Sequence, residues 1–488
     1  MEKSLTVLDQ SAMNATNVCG VCREQKRKCD KRLPSCSRCV RLKRSCNYAW
    51  NSSEQIDRNG SSPSDILASI LQSESQESIT RPLSIDRLYV DVVLERLNNQ
   101  GVCLDQTLTA YFDNIHPWLP VILERPFREQ VTRLQKVPQA ETALLLLAVV
   151  LIMHRGVHDE RQTSVHNLFK YLFAFLQLRH GPSLQLVQSG LLLALHDIGS
   201  SNIDAACLSI SSCARLGYLL KLNFDDRSEC ESRLSWEEGE ERRRLWTGIY
   251  ILDRIAYQAL IDIKAPHVVD DPADDYRLPV DDVLLGQFQK GMLQDIPQHT
   301  MSTPVEIPLC YYAREIQAAR LLGSVQKFQR ANDAEFLPQK FNMLDTKLMQ
   351  FAERLFEQTP RGWAVLCGAN AITLTAALIL HQVRIDGMSQ LPYSDPPHAT
   401  TSSLLALSSF INMVRDICCK FNMLGAEDKI DWVPLPAVVC VGEALLAAIR
   451  MRNMLGNQFD LDCGPLYQTL LYAKRHWKLC NVYLERIS

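Results

Sequence analysis

Between residues 19 and 46 the sequence reads CGVCREQKRKCDKRLPSCSRCVRLKRSC. Its six cysteines are separated by 2, 6, 6, 2 and 6 residues, so the pattern Cys-x2-Cys-x6-Cys occurs twice. They are Cys19, Cys22, Cys29, Cys36, Cys39 and Cys46. A two-residue gap lets both thiolates turn onto one tetrahedral metal ion, and six residues leave room for a short helical turn before the third ligand. The spacing therefore predicts a small zinc-stabilised module, which we call the head.

Six thiolates pose a counting problem for tetrahedral zinc. Two zinc ions need eight sulfur positions, so two of the thiolates must each bridge both ions. A single zinc ion would leave two thiols unused, which the repeated spacing disfavours. A disulfide framework is disfavoured as well, because no charged-then-apolar leader follows Met1 and a chain without a secretory signal keeps its thiols reduced. We therefore expect two Zn²⁺ ions as cofactors.

The head is also strongly basic. Its ten lysines and arginines outnumber two acidic residues, so the head carries +8 while the whole chain carries −3 and the remainder −11. Two zinc ions with six thiolates contribute a net −2, which leaves the assembled head at roughly +6. A compact cationic head on an acidic body predicts a polyanionic partner for the head alone. The same basic cluster could serve as a nuclear import signal.

The cysteine spacing closely resembles that of the fungal binuclear zinc cluster family. The resemblance implies that Cys19 and Cys36 are the bridging thiolates. It implies one zinc ion held by Cys19, Cys22, Cys29 and Cys36. It implies a second held by Cys19, Cys36, Cys39 and Cys46. Pro34 matches the loop proline of the family, where a cis peptide bond is implied.

Each half of the head is expected to form a short helix, roughly over 22–28 and 39–45. By resemblance, the first helix points its C-terminal end into the DNA major groove at a CGG triplet. Lys26 matches the lysine that contacts this triplet in the family, and a cationic donor to guanine O6 and N7 is the commonest base contact in that groove. The position before this lysine is often basic in the family, and here it is Gln25. Phosphate contacts, which position the module without choosing sequence, are predicted for Arg27, Lys28, Arg41, Lys43 and Arg44.

The rest of the chain has the pattern of an all-α fold. Residues between Ala206 and Leu220 are apolar in steps of 4, 3, 4 and 3, which is one face of a helix. Ser235-x-x-Glu238 is a capping box that precedes another apolar helix. Similar helical spacing of apolar residues predicts further helices at 140–154, 163–179, 306–331, 362–385, 400–423, 434–455 and 466–485. Residues 262–309 hold six of the 22 prolines and predict a long irregular crossing between helical halves.

Composition and pattern divide the chain into four parts. We predict a disordered N-terminus over 1–18, the binuclear zinc cluster over 19–46, a flexible linker over 47–84 that is rich in Ser, Gln, Glu and Asn, and an all-α regulatory domain over 85–488. The longest apolar run, 143–153, is shorter than the about 20 residues that a bilayer crossing needs, so it predicts a buried helix and no membrane contact.

The body resembles the fungal transcription factor regulatory domain. The resemblance rests on YFDNIHPWLP at 111–120, Pro126-Phe127, ARLGY at 214–218 and RRRLW at 242–246, followed by Asp253-Arg254. Where the family commonly shows a Gly-Arg-Pro turn, this chain has Ile263-Lys264-Ala265-Pro266 and keeps only the proline.

Three functions were weighed. The favoured one is a nuclear, sequence-specific DNA-binding regulator, which by resemblance activates RNA polymerase II transcription of a metabolic or secondary-metabolite gene set together with co-regulators. It binds double-stranded DNA as a monomer or as a homodimer. The alternative is an interaction factor whose zinc module binds protein and does not read DNA.

The third function, a helical enzyme with a zinc appendage, is disfavoured. The chain has no Walker loop, no His-Glu-x-x-His, no Gly-x-Ser-x-Gly and no dinucleotide fingerprint. The acidic stretch 270–275 lacks any fixed ligand spacing and is interpreted as a solvated loop. His154 is interpreted as a helix end and not as half of a metal pair with His158. We therefore predict that the protein is not an enzyme and has no catalytic residues.

Overall fold

The computed structural model describes ten segments of the body and parts of the head. In the head these are residues 18–19, 21–22, 25–32, 35–42, 44 and 46. In the body they are 84–154, 160–224, 235–259, 265–292, 296–331, 338–358, 368–389, 397–426, 432–456 and 461–486. The chain divides into two compact units, Met1–Gln72 and Ser73–Ser488. Apart from Val18 and Ser84, the predicted N-terminal tail and linker lie outside the described residues, and their boundaries stay predictions.

The described part of the first unit contains one assigned helix, α1 (Ser37–Arg41), and the helical residues Val21 and Cys22. Cys36 caps α1, because its Sγ accepts a hydrogen bond from the Cys39 backbone N–H. The helix thus begins two residues before Cys39 and ends at Arg41, so the expected range 39–45 was wrong. The chain after α1 turns back, with the Arg44 N–H donating to the Cys39 carbonyl at 3.0 Å.

The described part of the second unit is built from helices. The first eight are α2 (Ile85–Asn99), α3 (Leu104–Asn114), α4 (Glu124–Arg133), α5 (Ala140–Met153), α6 (Glu160–Arg179), α7 (Leu184–Gly199), α8 (Ile203–Leu219) and α9 (Trp236–Ala259). The next eight are α10 (Asp282–Gln289), α11 (Tyr311–Ala331), α12 (Pro338–Gln358), α13 (Gly368–Ser389), α14 (Pro397–Ala426), α15 (Leu435–Leu455), α16 (Gly464–Ala473) and α17 (Leu479–Glu485). Among the described residues of this unit, extended pairing is limited to an isolated antiparallel bridge between Arg277 and Thr300. The predicted all-α fold class is confirmed.

Helix α5 forms the centre of the N-terminal half of this unit. Twelve of its fourteen residues are buried, and it packs against α2, α6 and α7. A helix that is apolar on every side must be enclosed by other elements. The run 143–153 is therefore a buried core helix, as predicted. Across the described part of the chain, no helix combines the length and apolar character that a bilayer crossing requires.

Helix α9 links the two halves of the unit, since it packs against α7 and α8 on one side and α11 and α15 on the other. Its start is the predicted capping box. The Ser235 N–H donates to Glu238 Oε2 at 2.7 Å, and the Glu238 N–H donates to Ser235 Oγ at 3.2 Å. These reciprocal bonds satisfy two backbone donors at the start of the helix. The capping-box prediction is confirmed.

The C-terminal half is organised around α13, which packs against α11, α12, α14 and α15. The predicted helix 466–485 is wrong in one respect, because the chain breaks into α16 and α17. Between them the fully buried Trp477 turns inward, and its Nε1–H donates to the Val433 carbonyl at 2.6 Å. The irregular crossing 262–309 also contains α10, which the proline content did not predict.

Arg244 in α9 fastens this crossing to the helical core. Its guanidinium is almost completely buried. It donates to Glu240 Oε1 at 2.8 Å, to Asp282 Oδ1 at 2.5 Å and to the Val280 carbonyl at 2.9 Å. A buried charge is tolerated when it is paired and its donors are used. The third arginine of the RRRLW motif, Arg244, is therefore a structural clamp between α9 and α10.

Arg254, nearly three turns further along α9, does the same for the start of the crossing. It donates to the Val269 carbonyl at 2.9 Å and to Asp271 Oδ1 at 3.0 Å. Asp271 also accepts from the Tyr250 hydroxyl at 2.8 Å and from Lys327 Nζ at 2.5 Å. The interpretation of 270–275 as a solvated loop was therefore wrong at Asp271, whose carboxylate is enclosed by three donors.

Candidate metal centre and nucleic-acid interface

The six cysteines of the head converge. Cys19, Cys22, Cys36 and Cys39 are buried, and Cys29 and Cys46 are half-buried and pack against them. The sulfurs form two groups of four, and within each group all lie within 4.8 Å of one another. One group is Cys19, Cys22, Cys29 and Cys36, and the other is Cys19, Cys36, Cys39 and Cys46. Cys19 and Cys36 belong to both groups. The groups have the same members as the two ligand sets implied by resemblance.

The separations between these sulfurs suit zinc. Cys19 Sγ lies 3.7 Å from Cys36 Sγ and 3.7 Å from Cys39 Sγ, and Cys22 Sγ lies 3.8 Å from Cys36 Sγ. Four sulfurs held tetrahedrally at about 2.3 Å from one zinc ion are about 3.8 Å apart. A disulfide would bring two of them to about 2.0 Å. All cysteines in the described part of the chain are free thiols, so the donor set fits zinc.

Hydrogen bonds to sulfur support negative charge at this cluster. The Cys39 N–H donates to Cys36 Sγ at 3.4 Å, and the Cys36 N–H donates to Cys46 Sγ at 3.3 Å. Burial raises the pKa of the Cys19 thiol, and it raises that of Cys39 to about 12. Burial acts in the same direction on Cys36, but the hydrogen bonds from Cys39 and from neighbouring thiols outweigh it and lower the pKa to about 6. A thiolate is the form that binds metal.

Arg38 and Asp30 serve the head itself, which the sequence did not reveal. Arg38 Nη1 donates to Cys22 Sγ at 3.8 Å, so this cation faces the cluster. Asp30 accepts from the Ser37 N–H at 3.1 Å and from the Ser37 hydroxyl, and these bonds lower the pKa of its carboxyl. The carboxylate thereby lies at the N-terminus of α1 and ties the segment after Cys29 to the one after Cys36. The one available signal was the isolation of Asp30 among basic residues.

The residues predicted to contact DNA lie on the surface of the head wherever the structure describes them. All those that the structure describes are exposed, and none forms an ion pair with another described residue: Lys26, Arg27, Lys28, Arg41 and Arg44. Lys43 lies outside the described residues, as does Pro34 with its implied cis bond. Unpaired exposed cations of this kind are available to phosphates.

The backbone presents two of these residues in equivalent positions. The Arg27 N–H donates to the Cys22 carbonyl at 2.9 Å, and the Arg44 N–H donates to the Cys39 carbonyl at 3.0 Å. Each bond closes the turn five residues after a cysteine, as at the C-terminus of many helices. Lys26 precedes the first closure with φ of 48°, in the left-handed region that glycine favours. Lys26 therefore lies exposed in the turn that this hydrogen bond closes.

Comparison with known proteins decides the family. The profile described as Fungal Zn(2)-Cys(6) binuclear cluster domain matches residues 17–55, and that described as Fungal specific transcription factor domain matches residues 108–312. Transcription factor BOA15 of Botryotinia fuckeliana (strain B05.10) is 30% identical over 143 residues, which are 29% of this chain and 80% of that protein. The chain belongs to the fungal Zn(2)-Cys(6) transcription factor family.

Two further relatives match less of their own length. Transcription factor tazR of Aspergillus terreus (strain NIH 2624 / FGSC A1156) is 30% identical over 186 residues, 37% of this chain and 28% of that protein. Cutinase transcription factor 1 alpha of Fusarium vanettenii is 22% identical over 421 residues, 81% of this chain and 44% of that protein. The chain thus spans less than half of these two relatives. No solved structure matches it.

Membership establishes the coarse functional assignments. The protein is a fungal transcription regulator whose N-terminal six-cysteine region binds zinc, and a zinc cluster domain of this family implies DNA binding. The family consists of transcription factors and not of enzymes. His154, the C-cap of α5, pairs through Nε2 with the Thr107 hydroxyl at 3.3 Å, which confirms it as a helix end; His158 lies outside the described residues.

The regulatory domain contains a cavity of about 530 Å³ beside the first turns of α5, α7 and α9. Four carboxyl side chains line it together with several glutamine amides: Asp86, Glu141, Glu238 and Glu241. Burial raises the pKa of Glu241. Among the described residues of this lining, His180 is the one that can carry positive charge. An acidic lining repels phosphate, so this cavity is no second nucleic-acid site.

Proposed function

We propose that this protein is a zinc-dependent, sequence-specific DNA-binding regulator of RNA polymerase II transcription that acts in the nucleus. The observation that carries the proposal is the shared thiol cluster of the head, which places unpaired exposed cations on the turns directly after Cys22 and Cys39. Such a surface suits a polyanion with a regular spacing of charges, which double-stranded DNA provides. Family membership gives the class of regulator, and the head supplies the DNA-binding chemistry.

The head holds two zinc ions in this proposal. Cys19 and Cys36 bridge them, because each belongs to both groups of four sulfurs. Cys22 and Cys29 complete the first site, and Cys39 and Cys46 complete the second. When bound, the zinc ions supply the cohesion that a segment of this size cannot obtain from apolar burial. The N–H and guanidinium donors around the sulfurs orient the ligands and offset their charge.

Lys26 is the residue proposed to read DNA. It is exposed, lies at the end of the first helical turn and has no ion-pair partner among the described residues. An ammonium in that place can donate to guanine O6 and N7, which favours a CGG-like triplet. Gln25, which is also exposed, departs from the family at the neighbouring position. Arg27, Lys28, Arg41, Lys43 and Arg44 are assigned to phosphates, where they would set affinity and salt dependence.

The genes controlled by this regulator are proposed to belong to metabolism or secondary metabolism, and the name of one relative, a cutinase transcription factor, agrees with a metabolic target. The all-α domain is proposed to contact co-regulators. It is also the proposed site of homodimerisation, because the sequence between the head and this domain lacks the three or four apolar heptads that a coiled coil needs.

The test is selection of random duplex DNA by the zinc-loaded full-length protein, in parallel with protein treated with a chelator and with Lys26→Ala. We expect CGG-like triplets to be enriched with zinc and lost with chelator. Their number and spacing would show whether the protein binds singly or in pairs. If folded, zinc-loaded protein enriches no sequence, the proposal fails and a head that binds protein partners takes its place.

A further inference from the structure

A second group of side chains of the types that ligate metals lies in the regulatory domain. His166 of α6 and His196 and Asp197 of α7 meet where these two helices pack. The Asp197 side chain is 1% exposed, that of His196 is 6% exposed and that of His166 is 18% exposed. One ligand atom from each lies within 4.8 Å of the others.

The spacing of these atoms suits a transition-metal ion. His166 Nε2 lies 3.1 Å from Asp197 Oδ1, and His196 Nδ1 lies 3.4 Å from the same oxygen. Nitrogen and oxygen ligands at about 2.0–2.1 Å from a tetrahedral zinc ion are about 3.3–3.4 Å apart. The two imidazole rings face each other with centroids 4.7 Å apart and planes tilted by 37°. One nitrogen of each ring thus lies near the same carboxylate oxygen.

The second carboxylate oxygen is an independent sign of a missing ligand. Asp197 Oδ2 is buried and has no hydrogen-bond partner among the described residues. Buried carboxylate oxygens almost always accept a hydrogen bond or bind a metal ion, so one without a hydrogen-bond partner points to a metal ligand. The ring nitrogens of His166 and His196 both lie against the other carboxylate oxygen, Oδ1, so they leave Oδ2 without a partner among the described residues.

We propose that His166, His196 and Asp197 form a zinc site in the regulatory domain, separate from the thiolate cluster. Two imidazoles and one carboxylate suit Zn²⁺ or a similar divalent transition metal, whereas Mg²⁺ and Ca²⁺ prefer oxygen ligands alone. Three protein ligands leave a fourth position for water or another small ligand. Because the ligands come from two helices, the metal stabilises the contact between α6 and α7 and makes the regulatory domain responsive to metal supply. The inference does not depend on DNA reading.

Lys170 provides a way to separate a metal site from an ordinary hydrogen-bonded cluster. It follows His166 by one turn on α6, and its ammonium is close enough to act on Asp197. A metal ion must bind against this positive charge, so Lys170→Gln should raise zinc affinity at this site severalfold. If the carboxylate and imidazoles only bond to each other, the same change weakens the cluster and gains no zinc affinity.

The experiment measures zinc per chain in full-length protein that carries no polyhistidine tag, by mass spectrometry of the metal after dialysis against buffered zinc. We expect His166→Asn to bind one zinc ion fewer than the unaltered chain. His180→Asn, which changes a half-buried histidine just beyond the end of α6, should bind the same number. X-ray absorption at the zinc edge should show the loss of a nitrogen and oxygen shell in His166→Asn while the sulfur shell remains. Helix content by circular dichroism confirms that each variant is folded.

The result that overturns the proposal is equal zinc content in the unaltered chain, His166→Asn and His180→Asn, all folded. Should His166→Asn fail to fold, a competition titration of Lys170→Gln with a zinc-binding dye decides instead. Tighter binding of one zinc ion supports the site, and unchanged affinity at every site refutes it. Because the readout is the difference of one ion, failure of the two-zinc proposal for the head leaves this test intact.

Discussion

The head and the regulatory domain stabilise buried charge by different means. In the head, the buried groups are sulfurs whose mutual separations match the edges of zinc tetrahedra, and Arg38 donates to one of these sulfurs. In the regulatory domain, each buried arginine of α9 is met by carboxylates and carbonyls of the same chain. The head therefore depends on an external ion, while the buried arginines of α9 find their partners within the chain. This follows from size, because a segment of this length cannot enclose enough apolar surface to fold by burial alone.

The largest effect is expected when a substitution removes a shared thiolate from the head. Cys19→Ala or Cys36→Ala should release both zinc ions and abolish DNA binding, because each sulfur belongs to both groups. Cys46→Ala should release less zinc, because its sulfur belongs to one group. Zinc content and DNA binding of the full-length variants measure this, with the exposed Cys103→Ala as control. Equal zinc loss from all three head variants would contradict the bridging assignment.

The next effect tests the self-contained charge pairs of the regulatory domain. Arg244→Met should destabilise this domain by about 3–5 kcal/mol, because it removes the buried guanidinium that joins Glu240 to Asp282 and leaves the buried Glu240 carboxylate with Arg243 as its one guanidinium partner among the described residues. Zinc content should stay unchanged. Urea unfolding followed by tryptophan fluorescence gives the free energy of unfolding. Arg354→Met, which breaks an exposed pair with Glu357, is the matched control and should leave that free energy unaltered. A similar stability for both variants would show that the buried clamp is dispensable.

A third prediction concerns the buried carboxyl of Glu443, which forms no ion pair within the part of the chain that the structure describes. Burial raises the pKa of Glu443 from 4.5 to about 7, and its Oε1 accepts from Gln258 Nε2 at 3.1 Å between α15 and α9. Because the folded state holds the proton more tightly, stability should fall as pH rises from about 4.5 to 7, by roughly 3 kcal/mol at most. Glu443→Gln should flatten this part of the profile and be the more stable protein at pH 8. Urea unfolding at several pH values tests this, with the exposed Glu357→Gln as control; parallel profiles for Glu443→Gln and the unaltered chain would refute it.

The smallest effects are expected from single substitutions of DNA-contacting residues in the head. They distinguish a residue that reads bases from one that contacts phosphates. Lys26→Ala should weaken binding to the selected sequence by about 1–3 kcal/mol and leave zinc content unchanged. Arg27→Ala should weaken binding to all sequences alike. It should also reduce the slope of the logarithm of the binding constant against the logarithm of salt concentration by about 1. Fluorescence anisotropy on selected and scrambled duplexes at several salt concentrations distinguishes them. Loss of zinc from Lys26→Ala would show that the residue is structural.

Sequence patterns were most informative where the relevant partners are close in the chain. The capping box of Ser235 and Glu238 and the buried helix within 143–153 follow from spacing alone, because neighbours on a helix are set by its period. The break between α16 and α17 did not follow, because it serves the long-range bond from Trp477 to Val433. The role of Asp30 was hidden for a related reason. A single carboxylate among cations looks like a solvated charge until the Ser37 donors are placed beside it.

The sequence by itself predicted zinc binding and a cationic head, since cysteine spacing limits which sulfurs can reach one ion and the charges can be counted; the class of protein followed from the resemblance of that spacing to a known family. It also determined that the body is helical. Only the tertiary structure decided which buried charges pair, such as Arg244 with Asp282 across 38 residues, and only it brought His166 to His196 and Asp197. The physical reason is that ligand spacing and helical period act within a few residues. Pairing between distant side chains depends instead on how whole helices pack.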